Sequence, residues 1–256
     1  VFTLYQNDGT TPVKDSSNNN INITATSGIG GIVQFSNIPF GKYKIKETTA
    51  PTGYTLNTQD ISADLTGTTT VNGQSVPVIA NGQPVNANPY IVSDTKITGS
   101  VKITKTDKDT GVPIPGAVIA IFDSNNVQVN QKTTGSDGTV QFDNLVYGNY
   151  YYKEISSPDA YVLDTTSHSF SIQTESTQVA PQLLSFTNTK VKGNIAFTKT
   201  GEDTDSSGLQ GAVFGLYQTD GTTPVKDSSG NPVTAISGSD GKVQFNNVEY
   251  GSYAIK

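Results

Sequence analysis

Apolar side chains recur at every second position along most of this chain, in short runs broken by Gly, Pro, Asn and Asp. In a β-strand residues two apart share a face, so Val101 and Ile103 point one way, as do Tyr150 and Tyr152, and Leu184 and Phe186. Between Gly99 and Lys192 the alternation predicts strands at 100–106, 116–123, 126–132, 138–143, 148–155, 167–173 and 181–189. Turn signals stand between several of them, at Asp109–Gly111, Ser124–Asn126, Ser136–Gly138 and Asp143–Asn144. No stretch has sustained helical spacing, and none is long and apolar enough to span a membrane. Seven short strands with a turn every ten or so residues predict an all-β fold of the sandwich kind.

The alternation carries a second message. Lys105 follows Val101 and Ile103 in the buried phase, Glu154 follows Tyr150 and Tyr152, and Asn188 follows Leu184 and Phe186. A lone buried ammonium or carboxylate is costly, so each needs a partner; the economical arrangement is that the three meet one another. In a dry core these groups can form a covalent Lys–Asn amide. The pattern recurs: Lys199 follows Ile195 and Phe197, Glu47 follows Tyr43 and Ile45, and Asp94 follows Tyr90 and Val92.

Longer repeats explain that recurrence. Residues 1–14 read VFTLYQNDGTTPVK and residues 213–226 read VFGLYQTDGTTPVK. Residues 31–46, 138–153 and 241–256 read GIVQFSNIPFGKYKIK, GTVQFDNLVYGNYYYK and GKVQFNNVEYGSYAIK. Three tandem domains are therefore expected. The first, residues 1–98, lacks its opening strand. The second, 99–192, is complete. The third, 193–256, stops just before its expected Glu. The chain thus reads as a piece of something longer. Residues 66–88, rich in Gly, Thr, Asn and Gln, form an insertion in repeat 1 with turn signals at Asn72-Gly73 and Asn81-Gly82. An extended hairpin is one reading and a decorated loop the favoured one.

Composition narrows the function. The 256 residues include 16 Lys and Arg against 22 Asp and Glu, a net charge of −6, which argues against a nucleic-acid partner. With no Cys and one His, disulfide, thiolate and multi-His metal chemistry are excluded. Asp107, Asp109, Asp203 and Asp205 fall short of the ligand set of a calcium loop and read as turn formers. His168 reads as an exposed strand residue without catalytic partners, and Tyr150, Tyr151 and Tyr152 as packing rather than a sugar platform. No cofactor is expected.

The run Gly99-Ser100-Val101-Lys102-Ile103-Thr104-Lys105-Thr106-Asp107, followed by Pro115-Gly116-Ala117-Val118, resembles the opening of collagen-adhesin B-type (Cna B-like) repeat domains. Gly41, Tyr43 and Glu47, then Ala50-Pro51-Thr52-Gly53-Tyr54, match that family's GxYxxxExxAPxGY signature. Gly148, Tyr150, Glu154, Ser157-Pro158 and Tyr161 match it with Asp159-Ala160 in place of Thr52-Gly53. The resemblance covers essentially the whole chain. It implies tandem Ig-like or prealbumin-like β-sandwiches in the stalks of Gram-positive surface adhesins or the shafts of sortase-assembled pili. It also implies an isopeptide bond between a first-strand Lys and a last-strand Asn or Asp, promoted by a Glu: Lys105, Asn188 and Glu154 in repeat 2, with Glu47 and Asp94 in repeat 1 and Lys199 in repeat 3 as partial sets. Such chemistry happens once per molecule and is self-modification rather than turnover. An unprotonated amine attacks the carboxamide, and the Glu polarises the Asn carbonyl and carries the proton to departing ammonia. The expected setting is extracellular and cell-wall-attached, with neighbouring repeats or subunits of the same surface protein as partners. The alternative reading is an adhesive module gripping host matrix protein or glycan. An enzyme that turns over has almost no support.

Overall fold

The computed structural model describes residues 1–15, 21–36, 38, 39, 41–71, 74–79, 83, 84, 91–175, 180–202 and 207–256, without the side chains of 67–71, 74–79, 83 and 84. Tyr90, both Asn-Gly turns of the insertion, and Asp203 and Asp205 lie outside the described residues. The chain forms two compact units. One comprises Val1–Ser100, Asp143–Asn149 and Ser171–Ala180; the other comprises Val101–Phe142, Tyr150–Phe170 and Pro181–Lys256.

The described residues form eighteen strands and one 3-10 turn, Ile29–Gly31. The strands are β1 (Phe2–Gln6), β2 (Thr24–Ala25), β3 (Lys42–Glu47), β4 (Ile61–Val71), β5 (Gln74–Ile79), β6 (Gln83–Pro84), β7 (Thr98–Asp107), β8 (Val118–Asp123) and β9 (Gln128–Thr133). They continue as β10 (Thr139–Val146), β11 (Gly148–Ser156), β12 (His168–Ile172), β13 (Gln182–Asn188), β14 (Lys192–Thr198), β15 (Val213–Tyr217), β16 (Thr234–Ile236), β17 (Lys242–Glu249) and β18 (Ala254–Ile255). All seven strands expected between Gly99 and Lys192 are present, β7 to β13. They form a three-stranded sheet, β10-β7-β13, and a four-stranded sheet, β12-β11-β8-β9. The first and last strands of this set pair in parallel, Lys105 opposite Phe186 and Asp107 opposite Asn188.

One local pattern recurs in each repeat. The strand order β9-β8-β11 of repeat 2 returns as β2-β1-β3 and as β16-β15-β18. Repeat 1 packs Leu4, Val13, Tyr43 and Ala63 together, and repeat 3 packs Leu216, Val243 and Phe245. The Gly-x-Tyr motif has a steric basis. The Tyr43 hydroxyl donates back to the Pro39 carbonyl oxygen at 2.9 Å and that of Tyr253 to the Glu249 carbonyl at 2.8 Å. Each ring folds over the glycine two residues before it, and a Cβ on Gly41 would lie 3.0 Å from the Tyr43 oxygen.

The insertion in repeat 1 is an extended hairpin rather than a simple loop: β4 pairs antiparallel with β5, and β5 with β6. The three-stranded sheet that holds β7 has no counterpart among the described residues of repeat 1. Neither 32–36, which aligns with part of β10, nor 91–94, which aligns with the end of β13, takes strand form there. A strand needs a ladder partner for its backbone groups, and among the described residues neither segment has one.

Candidate functional site

Lys105 is delivered by β7, whose backbone is fixed at that point by the Ser136–Gly138 turn. The Lys105 N–H donates to the Gly138 carbonyl at 2.8 Å. Gly138 has φ +69°, and a Cβ there would lie 2.5 Å from the Lys105 carbonyl oxygen, so only glycine permits this approach. Gly241 meets the Lys199 carbonyl in the same way in repeat 3. Asn188 stands two positions along β13 from Phe186, the ladder partner of Lys105. Glu154 comes from β11 in the other sheet of the sandwich.

The three predicted residues do converge. Lys105 is 0% exposed, and Glu154 and Asn188 are each 2% exposed. The Lys105 Nζ lies 3.8 Å from Glu154 Oε2. The Asn188 Nδ2 donates to Glu154 Oε1 at 2.9 Å and to Oε2 at 2.8 Å. Glu154 Oε2 also accepts the Asp164 backbone N–H at 2.9 Å. The Lys105 Nζ sits 3.3 Å from the centroid of the Phe186 ring, and Tyr152 packs edge-on against the same ring at 5.3 Å. Among the described residues neither the Lys105 Nζ nor the Asn188 Oδ1 has a hydrogen-bond partner. Two orphaned polar atoms beside one carboxylate, in a dry core, form an unusual cluster for a folded protein.

Burial pushes the Lys105 ammonium down from 10.5 to about 8, while the carboxylates of Glu154 and Asp164 pull it back up. About a tenth of the side chain is then the neutral amine at pH 7. For Asp164 the burial that raises its carboxyl is outweighed by hydrogen bonds from Thr166, then His168, and by the charge of Lys105, leaving it below its ordinary range.

Glu154 meets the amide nitrogen of Asn188, whereas the sequence reading placed it on the carbonyl. An ionised carboxylate has only acceptors and so takes the N–H side. A neutral carboxyl has an O–H to offer and suits the amide turned through half a rotation.

Two residues escaped the sequence reading. The Asn188 Nδ2 also donates to Ser157 Oγ at 3.0 Å. Strict alternation from Glu154 would turn Ser157 outward, but the β11–β8 register shifts between Glu154 and Ser156. That bulge adds a residue and swings Ser157 back toward Asn188. His168 is not the exposed residue expected. It is half-buried, stacked on Tyr152 at 5.0 Å, with its Nε2 3.4 Å from Asp164 Oδ2. Its distance from Tyr152 in sequence hid that packing.

The partial sets are less assembled. Glu47 is buried, and its Oε2 accepts the Asn57 N–H at 2.8 Å, matching the Asp164 contact of Glu154. No hydrogen bond joins Glu47 to Asp94 among the described residues, and Asp94 is half-buried. The Lys199 Nζ donates to the carbonyl of the adjacent Thr200 at 2.9 Å and, among the described residues, bonds no Glu, Asp or Asn side chain. Asp107 is a turn cap: its Oδ1 accepts the N–H groups of Asp109 and Thr110 and the Thr110 hydroxyl. Among the described residues no three His, Asp or Glu side chains gather as a metal site.

The family model for the SpaA prealbumin-like fold domain matches residues 1–76, 99–183 and 193–256. Serine-aspartate repeat-containing protein F of Staphylococcus epidermidis is 26% identical over 256 residues, covering 91% of this chain and 15% of its own length. Serine-aspartate repeat-containing protein D of Staphylococcus aureus is 24% identical over 271 residues, covering 96% of this chain and 20% of its own. The chain thus spans a fifth or less of those relatives. In structure it is similar to the Bacillus anthracis TIE protein, with a TM-score of 0.66 at 24% identity, over 100% of this chain and 41% of that one. With three family matches that together span most of its length, the chain belongs to the SpaA prealbumin-like fold domains, the Cna B-like class that its motifs resemble.

Proposed function

We propose that this chain is a stalk segment of a Gram-positive cell-surface protein, built of three tandem domains (1–98, 99–192 and 193–256) and stiffened by an isopeptide bond between Lys105 and Asn188. The observation that carries the reading is the fully buried Lys105 Nζ, without a hydrogen bond, 3.8 Å from a Glu154 that also holds the Asn188 amide. The neutral amine of Lys105 attacks Asn188 Cγ. One Nζ proton passes to Glu154, which hands a proton to Nδ2. The Cγ–Nδ2 bond breaks, ammonia leaves and an amide remains. Where Lys105 starts as the ammonium, its extra proton departs as well. The new amide is neutral, so the Lys105 nitrogen no longer carries a charge that burial would penalise.

The bond ties β7 to β13, the first and last strands of repeat 2. A pull along the chain then runs through the cross-link and bypasses the roughly 80 residues between. Repetition supports a spacer, since length accrues with every copy. On this reading the protein works at the extracellular surface, alongside other repeats or subunits of its parent, and turns nothing over. Glu47 with Asp94, and Lys199, are the corresponding positions of the two flanking domains.

Single-molecule stretching tests the reading. Unfolding of a cross-linked repeat 2 releases no length from the segment between Lys105 and Asn188, whereas Lys105→Met releases a step of about 270 Å, from roughly 80 residues at about 3.4 Å each. The same step in the unsubstituted chain would overturn the proposal.

A further inference from the structure

We infer that Ser157 holds the leaving nitrogen of Asn188 and sets the rate of bond formation, an inference that rests on the Lys105–Asn188 reading above. The Nδ2 has two hydrogens to place. One is shared between the oxygens of Glu154, at 2.9 and 2.8 Å, and the other goes to Ser157 Oγ at 3.0 Å. With both N–H groups committed, the amide cannot rotate about its Cβ–Cγ bond without breaking hydrogen bonds in a core that offers few replacements. That fixes which face and which atoms of the carboxamide Lys105 meets. A carboxamide free to turn over spends part of its time with the wrong atom against Glu154, and positioning of this kind is where an intramolecular reaction gains its rate.

The contrast within the chain points the same way. Repeat 1 has Ala50 where repeat 2 has Ser157, three residues beyond Glu47 and Glu154 respectively. Its acceptor is Asp94, which has no N–H to hold. The bulge that turns Ser157 inward has an echo in repeat 1, where the Thr48 and Thr49 N–H groups both donate to the Val1 carbonyl oxygen at 2.8 and 3.2 Å. The backbone device is thus present in both, and the hydroxyl only beside the carboxamide. Ser157 is also the one half-buried member of the cluster, since Lys105, Glu154 and Asn188 are sealed. When Cγ–Nδ2 breaks, ammonia leaves past the Ser157 hydroxyl toward solvent.

The test follows bond formation in the whole chain made by cell-free synthesis, quenched in acid at intervals and weighed intact. Ser157→Ala should slow ammonia loss about tenfold, the size of one lost hydrogen bond. Ser157→Thr, which keeps the hydroxyl, should stay within about threefold of the original rate. A second measurement separates reaction from folding. In the Lys105→Met background, which cannot cross-link, Ser157→Ala should lower the melting temperature of repeat 2 by no more than about 7 °C, the loss of one hydrogen bond, and leave the domain fully folded where the reaction is followed. Equal rates for Ser157→Ala and the parent chain would overturn the inference while leaving the cross-link standing. A melting loss in the Lys105→Met background large enough to account for the slowed reaction would overturn it too, by making Ser157 a packing residue. A parent chain that never loses ammonia would overturn the inference and the cross-link together.

Discussion

Replacing Lys105 by Met isolates the energetic value of the cross-link. Met has a similar length and no charge, and the Lys105 Nζ makes no hydrogen bond that the substitution would break. Glu154 keeps its contacts with Asn188 Nδ2 and the Asp164 N–H. What is lost is the covalent closure of a loop of roughly 80 residues, which in the chain-entropy account stabilises by about 4.5 kcal/mol. A repeat of roughly 90 residues unfolds with an entropy near 0.19 kcal/mol/K, so the melting temperature of repeat 2 should fall by about 20–25 °C. Scanning calorimetry of the whole chain, following its highest transition in the parent and the variant, reads this directly. A fall of less than about 5 °C would refute the reasoning, because packing a thioether where the parent holds the amide does not offset a loss that large.

Other consequences follow from the same geometry. Glu154→Gln keeps the shape of the side chain and removes its capacity to carry a proton. The variant should fold and retain its unmodified mass, and ammonia loss at the parent rate would show that Glu154 does not carry the proton. Asn188→Ala leaves Lys105 buried as a free amine with a folded value near 8, below its unfolded value of 10.5. The unfolded chain then binds more protons between those values, so stability of this variant should rise as pH climbs from about 8 to 10.5 and be insensitive to Lys105 below 8. Urea unfolding against pH, with Lys105→Met as the reference for all other titrating groups, checks the sign, and parallel profiles for the two variants would contradict the burial of a free amine.

Much of the fold was legible because alternation is a local property. The seven strands of repeat 2 appear where the apolar phase places them, and Lys105, Glu154 and Asn188 were visible as polar residues in that phase. Two kinds of feature were not. Ser157 depends on a bulge, which breaks the two-residue period at the point where the reading relies on it. The stacking of His168 on Tyr152 and the parallel pairing of β7 with β13 depend on contacts between segments far apart in sequence. Repeat 1 shows the limit from the other side. Its 32–36 segment has nearly the sequence of the start of β10, including the shared Val-Gln-Phe, yet takes no strand form, because a strand is completed by its neighbour.

Intact mass of the purified chain, followed by mapping of its proteolytic fragments, tests the central claim most directly. The account predicts a mass one ammonia below that of the sequence and a branched fragment joining Lys105 to Asn188. A mass equal to the unmodified sequence, with Lys105 and Asn188 recovered in separate linear peptides, would contradict it.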